Sequence, residues 1–208
     1  MSKTDRWATF DCYGTLIDWN DGLRRALGSD ELLERYHELE PQVQSEDPAA
    51  SYQDVMTEVA QRLDAGDPAE LARSLPSWKP FPDVRPALEQ ARADGWKLAL
   101  LSNTDRDFID ASIEQIGVPI ELAIVASEIG SYKPAHAHWE RFFEQVDIPH
   151  DRHVHVAQSH FHDVVPATEL GLQNIWINRL GQQAEPAPTR ELQDLTRLPD
   201  TLDELVPA

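Results

Sequence analysis

Four short stretches of this 208-residue chain carry side chains that could break or form bonds. Asp11 follows the apolar run Trp7-Ala8-Thr9-Phe10 and opens Asp11-Cys12-Tyr13-Gly14-Thr15. Ser102-Asn103 closes KLALLSN, Lys133 sits in Ser131-Tyr132-Lys133-Pro134, and Asp163 ends Gln158-Ser159-His160-Phe161-His162-Asp163. A carboxylate at the end of a buried strand is costly unless something pairs or uses it. Set beside an ammonium, it can be held ionised and act as a nucleophile. A second carboxylate, or His160, can then activate or position water. Cys12 is no second nucleophile, because strand alternation turns it to the face opposite Asp11, where it packs. The histidines form three His-x-His pairs, at 136/138, 153/155 and 160/162. Such a pair on a strand shares one face and could hold zinc. His153 and His155 lie toward the start of their strand, away from the reactive edge, and read as packing or surface residues.

The elements that must hold these groups can be read from hydrophobic pattern. WATFDCY (7–13), KLALLSN (97–103), LAIVAS (122–127), HVHVAQ (153–158) and NIWIN (174–178) are short apolar runs that read as buried strands. A helical pattern at 82–95 precedes the later four, and others separate them: a helix opened by Thr104 and Asp107 in a capping-box spacing and closed by Gly117, 136–146, and a turn led by Pro166. This alternation predicts an α/β fold, a doubly wound parallel Rossmann-like sheet. The alternation breaks between 17 and 80, where 30–40, 51–63 and 67–75 are helical and no strand is evident. That stretch reads as a helical cap inserted after the first strand, with the core formed by 1–16 and 81–208. The segment 181–199 reads as a surface loop with a short helix. Ligands of such sheets sit beyond the carboxyl ends of the strands, and four successive strand ends here carry the reactive groups.

That order of motifs resembles the haloacid dehalogenase superfamily over nearly the whole chain. Phe10–Leu16 matches its aspartate-nucleophile motif, Leu100–Asn103 its Ser/Thr motif, Tyr132-Lys133-Pro134 its lysine motif, and Val156–Asp163 its acidic motif in part. Phosphatases of the superfamily carry a second aspartate two residues after the nucleophile, where this chain has Tyr13, and Gly-Asp where it has Ala157-Gln158. Mg²⁺ is usually held through carboxylates, so the resemblance points instead to the metal-independent (S)-2-haloacid dehalogenase branch. It implies Asp11 as nucleophile, Lys133 as the group that orients it, Asp163 as the positioner of water, and Thr15, Ser102 and Asn103 as hydrogen-bonding partners of substrate or Asp11. Tyr13, Arg35 (in Arg35–Glu40 of the cap), Trp139 and His160 are the further substrate-side positions. Trp139 replaces a tyrosine of that branch, and Gln158 and His160 replace a serine and an asparagine. The resemblance implies no cofactor, a small 2-substituted carboxylic acid as substrate, and a homodimer. Two other readings stay open: a Mg²⁺-dependent phosphatase, and a retired enzyme that keeps the scaffold as a binding protein.

Composition narrows the partners. Asp and Glu number 37 against 18 Lys and Arg, a net charge of −19. Such a field repels nucleic acids. The single cysteine allows no internal disulfide, and no apolar run nears the roughly 18 residues of a membrane span, so a cytoplasmic enzyme without nucleic-acid or membrane partners is expected. Four lysines in so acidic a chain resemble the composition of proteins from high-salt cytoplasm. Self-repulsion at this charge is screened as the Debye length shrinks to about 3 Å at 1 M salt. The melting temperature should therefore rise as KCl goes from roughly 0.1 to 2 M; a steady fall in calorimetry would contradict it.

Overall fold

The computed structural model describes residues 5–47 and 50–208. Six parallel strands form one sheet in the order β3-β2-β1-β4-β5-β6: β1 (Arg6–Phe10), β2 (Trp96–Ser102), β3 (Leu122–Val125), β4 (His153–Ala157), β5 (Gln173–Ile177) and β6 (Arg190–Leu192). The order reverses at β1, which lies between β2 and β4, so the switch-point crevice opens between the ends of β1 and β4. The inner strands are apolar on both faces because helices cover both. Ala8, Phe10, Leu98, Leu100, Val154 and Val156 face one core cluster; Trp7, Ala99, Leu101 and Ile124 face the other. Thr9 shares the second face and stands opposite His155 in the β1–β4 register, as Trp7 stands opposite His153. Asp11 comes next in that alternation.

Helices α1 (Trp19–Leu27), α2 (Asp30–Glu46), α3 (Tyr52–Arg62) and α4 (Pro68–Ser74) all fall between β1 and β2 and build the cap. Asp18, Ser29, Ser51 and Asp67 cap their four N-termini through side-chain oxygens. The chain leaves and re-enters the core side by side: Ile17 and Pro80 form an antiparallel bridge, Asp18 N donates to Lys79 O (2.9 Å), and Phe81 N donates to Leu16 O (2.9 Å). The core continues with α5 (Val84–Ala93), α6 (Arg106–Ile116), α7 (Ala126–Ile129), α8 (Ala137–Gln145), α9 (Val165–Glu169) and α10 (Leu198–Leu205). A single π-type turn, His160–Val164, links β4 to α9 and carries Asp163.

Several local expectations are corrected. Helix α2 runs past Pro41 to Glu46, where a proline reads as a stop. The extra turn is held by buried Val43 and by Arg62 of α3, which pairs with Glu46 at 2.6 Å. The capping box at Thr104 does not form. Asp105 instead accepts hydrogen bonds from Tyr52 N (3.0 Å) and Gln53 N (2.9 Å), so a core carboxylate caps the cap helix α3. The segment read as a surface loop contains β6, a three-residue edge strand that the pattern of so short a run did not reveal.

Gly22, buried in α1, lets the Trp78 ring lie against the helix backbone; a Cβ there would stand 2.2 Å from Trp78 Cδ2. Trp78 in turn meets the Tyr13 ring edge-on at 6.5 Å. Gly22→Ala, a helix-favouring change on a solvated face, should here lower stability by about 1–3 kcal/mol in urea unfolding, through overpacking. Unchanged or increased stability would refute this packing role.

Candidate active site

The reactive groups meet at the carboxyl ends of β1, β2 and β4. Asp11 directly follows β1 and is 7% exposed; its N donates to Val156 O at 3.1 Å, which continues the ladder onto β4. Lys133 Nζ donates to Asp11 Oδ1 (2.9 Å), Asp163 Oδ1 (2.6 Å) and Leu101 O (2.9 Å), so all three of its protons are spent. The ammonium therefore orients protein groups rather than substrate. Thr15 Oγ1 donates to Asp11 Oδ2 (2.8 Å) and accepts from Gln158 N (2.8 Å). Asn103 grips the lysine's own backbone at both ends: Lys133 N donates to Asn103 Oδ1 (2.6 Å), and Asn103 Nδ2 donates to Lys133 O (3.0 Å). Two buried acceptors facing this centre take no hydrogen bond from the described residues: Ser102 Oγ and Asp163 Oδ2.

Charge follows from these contacts. Burial raises Asp11 more than Lys133 lowers it, and the neighbouring Asp163 adds to the rise. Burial would raise Asp163 too, but the Lys133 charge and the His155 hydrogen bond prevail and hold it at about 2. Of two carboxylates sharing one ammonium, Asp163 keeps its charge the more firmly. Burial and the nearby Lys133 lower His138, which bonds Ser102 O, to about 3, so it is neutral.

These groups open into a cavity of about 230 Å³ between core and cap. That is below the roughly 300 Å³ at the lower end of pockets for drug-sized ligands, so it suits a small molecule. Asp11, Tyr13, Ser102, Asn103, Lys133 and Asp163 all line it, with Trp19 from the cap. Tyr13 is held by Ser112 (Oη to Oγ, 3.0 Å) and stacks on Tyr52 at 6.5 Å. Three expected substrate-side residues lie elsewhere. Arg35 is exposed on α2 and outside the cavity wall. Trp139 is fully buried, edge-on to His155 at 5.1 Å. His160 bonds Pro186 O (2.8 Å) and lines a neighbouring groove, while His162 takes the place at the cavity. The reason for the first is helical phase: α2 turns Leu33 and Tyr36 inward and His37, Glu40, Pro41 and Gln44 toward the cavity, leaving Arg35 outside. His37, Glu40, Gln44 and Tyr52 were missed; the i, i+3, i+7 spacing of the first three was the available signal.

The residues do not fit a bound metal. The Lys133 ammonium is already paired with both Asp11 and Asp163, and no group of three or more His, Cys, Asp or Glu among the described residues is placed to hold a metal ion.

Comparison with known proteins gives a consistent picture. A family model described as haloacid dehalogenase-like hydrolase matches residues 6–159. Haloacetate dehalogenase H-2 of Moraxella sp. (strain B) is 33% identical over 120 residues, 57% of this chain and 53% of that protein. (S)-2-Haloacid dehalogenase H-109 of Pseudomonas putida is 28% identical over 128 residues, 59% of this chain and 57% of its own length. The matched chain thus spans about half the length of these curated relatives. The structure of L-2-haloacid dehalogenase from Xanthobacter autotrophicus with chloropropionic acid covalently bound superposes with a TM-score of 0.83 at 19% identity, covering 95% of this chain and 98% of that one, a likeness of fold.

Glu40 accepts from Tyr52 Oη (3.0 Å) and Gln44 Nε2 (3.3 Å), and burial raises it to about 7, Tyr52 offsetting part of the rise. From pH 4.5 to about 7 the folded protein holds a proton that the unfolded chain has released, so this group costs stability as pH rises. Glu40→Gln should remove the cost. Its stability gain over the parent should be near zero at acid pH, grow through that window, and level off above it at about 1–3 kcal/mol. A difference that does not vary with pH, measured by urea unfolding, would refute the assignment.

Proposed function

The chain belongs to the haloacid dehalogenase-like hydrolase family, and we propose that it works as a metal-independent, 2-haloacid dehalogenase-like hydrolase on a small 2-substituted carboxylic acid. The observation that carries this reading is the Lys133 ammonium locked between Asp11 and Asp163. It opposes the rise that burial imposes on Asp11, and it already pairs with both carboxylates that metal-assisted phosphoryl transfer would draw on.

An Asp11 carboxylate oxygen attacks carbon 2 of the acid; the carbon–halogen bond breaks and halide leaves with the electron pair. The products of this step are an aspartyl ester and free halide. Water then adds to the Asp11 carbonyl carbon and gives a proton to the open Oδ2 of Asp163. The acyl–oxygen bond then breaks, Asp163 returns that proton to the leaving oxygen to free the 2-hydroxy acid, and the Asp11 carboxyl releases its own proton to solvent, which restores both carboxylates. Ser102 Oγ, buried at the cavity without a partner among the described residues, is the hydroxyl that receives the substrate carboxylate. Thr15 and Asn103 act through Asp11 and Lys133. Tyr13 and Trp19 supply the apolar wall. In this reading residues 17–80 close over a core of 1–16 and 81–208, with no cofactor. The resemblance extends the proposal to a cytoplasmic homodimer. No helix among the described residues is long and apolar enough to cross a membrane.

The origin of the product oxygen tests this. With enzyme in excess over 2-chloropropionate in H₂¹⁸O, the first product should be unlabelled. The label should appear in the tryptic peptide from Trp7 to Arg24, which holds Asp11. EDTA should leave halide release unchanged, and Asp11→Asn should lower it by several orders of magnitude. Label in the product and none in the peptide would replace covalent catalysis with direct attack by water; loss of activity in EDTA with recovery in Mg²⁺ would restore the phosphatase reading.

A further inference from the structure

The two strand histidines read from sequence as packing residues are joined to the catalytic centre by an unbroken buried chain of hydrogen bonds. His153 Nε2 lies 2.8 Å from Thr9 Oγ1, and Thr9 Oγ1 lies 2.8 Å from His155 Nδ1. His155 Nε2 lies 3.0 Å from Asp163 Oδ1, which also receives Lys133 Nζ. Thr9, His153, His155 and Asp163 are all fully buried. We propose that His155 is a positioning residue for Asp163, and that Thr9 and His153 fix the tautomer in which it does so.

The direction of the chain follows from counting protons. An ionised Asp163 can only accept, so His155 Nε2 carries its proton and donates it. Its Nδ1 is then bare and accepts from the Thr9 hydroxyl. That hydroxyl has one proton, so its other contact, His153 Nε2, must donate to it. His153 Nδ1 is left bare, and of the four ring nitrogens of His153 and His155 it is the one buried with no partner among the described residues, beside the rings of Phe142 and Phe143. The reverse direction would put an N–H at that apolar end with nothing to receive it, which costs more than a bare nitrogen. A second proton on His155 would turn the Thr9 hydroxyl around and force the same result. Burial pushes His153 well below its usual range, which agrees with a neutral ring there. The remaining titratable neighbours are Lys133 and His138 around Asp163 and His155, and His150 beside His153; His138 is neutral as well.

The consequence lies on Asp163. Two donors, the Lys133 ammonium and the His155 ring, converge on Oδ1, while Oδ2 takes no hydrogen bond from the described residues. With the lysine alone the carboxylate could pivot about a single contact; with both it is fixed, and Oδ2 is the oxygen presented to water. Edge-on packing of Trp139 at 5.1 Å holds the His155 ring in its plane. The inference rests on the reading of Asp163 as the group that positions the hydrolytic water.

Two measurements test it. Long-range ¹H–¹⁵N spectra of the intact ¹⁵N-labelled protein, which need no substrate, should show His153 and His155 both as the neutral tautomer with the proton on Nε2. A cationic His155, or one protonated on Nδ1, overturns the proposal. In single turnovers of 2-chloropropionate, His155→Leu should slow ester hydrolysis by about tenfold or more and leave ester formation within about threefold, so that the modified Asp11 peptide accumulates. His155→Gln, which keeps a donor, should restore hydrolysis to within about threefold of the parent. A purely structural residue would slow both steps together, and that result, or no change in either, overturns the proposal. Failure of the parent protein to form any ester would instead count against the dehalogenase-like reading, while the tautomers still decide the role of His155.

Discussion

The structure is organised around one ammonium. Lys133 is 2% exposed, and its three protons go to two carboxylates and one carbonyl. Three buried charges cannot be left unpaired, because each would cost several kcal/mol to desolvate. So the elements that bring them together are constrained to a narrow geometry. Strand β1 must end at Asp11, β2 must present the Leu101 carbonyl, and the turn after β4 must bring Asp163 back over the sheet. Asn103, gripping Lys133 from both sides of its peptide, serves that geometry more than it serves a substrate.

The centre has one cation for two anions, and the imbalance explains what surrounds it. Neutral donors fill the gap: Thr15 on Asp11, His155 on Asp163, and Gln158 N on Thr15. Histidine suits the position behind Asp163 because one ring can donate at one end and accept at the other. The parallel sheet places Thr9 and His155 opposite one another, so a run that looks like polar residues misplaced in a core strand is a satisfied network with one bare nitrogen.

The cap adds the far wall of the cavity and is tied to the core through polar contacts. Asp105 caps α3, Tyr132 Oη donates to Ala50 O at 2.9 Å, and Tyr13 stacks on Tyr52. A carboxylate at a helix N-terminus is favoured by both free N–H groups and the helix dipole. These contacts bring Glu40, Gln44 and His37 to the wall of the cavity that Asp11 also lines, and the cap side of that wall carries no Lys or Arg among the described residues.

By itself the sequence determined the α/β class, the helical stretch between the first two strands, and the segments, at or after four successive strand ends, in which Asp11, Ser102, Lys133 and Asp163 lie. These follow from local signals: apolar runs of strand length, glycine stops, and residues at the carboxyl ends of parallel strands. Only the tertiary structure decided the rest, because it depends on distances between residues far apart in the chain. Whether Lys133 faces substrate or protein is settled by contacts 30 to 122 residues away. Arg35 could be excluded from the cavity only by the phase of α2, which is set by what Leu33 and Tyr36 bury against. His153 and His155 looked remote from the reactive edge because sequence position measures distance along one strand. The network reaches Asp163 across β1 and back through a turn, since adjacent parallel strands lie about 4.8 Å apart and the chain that joins them does not.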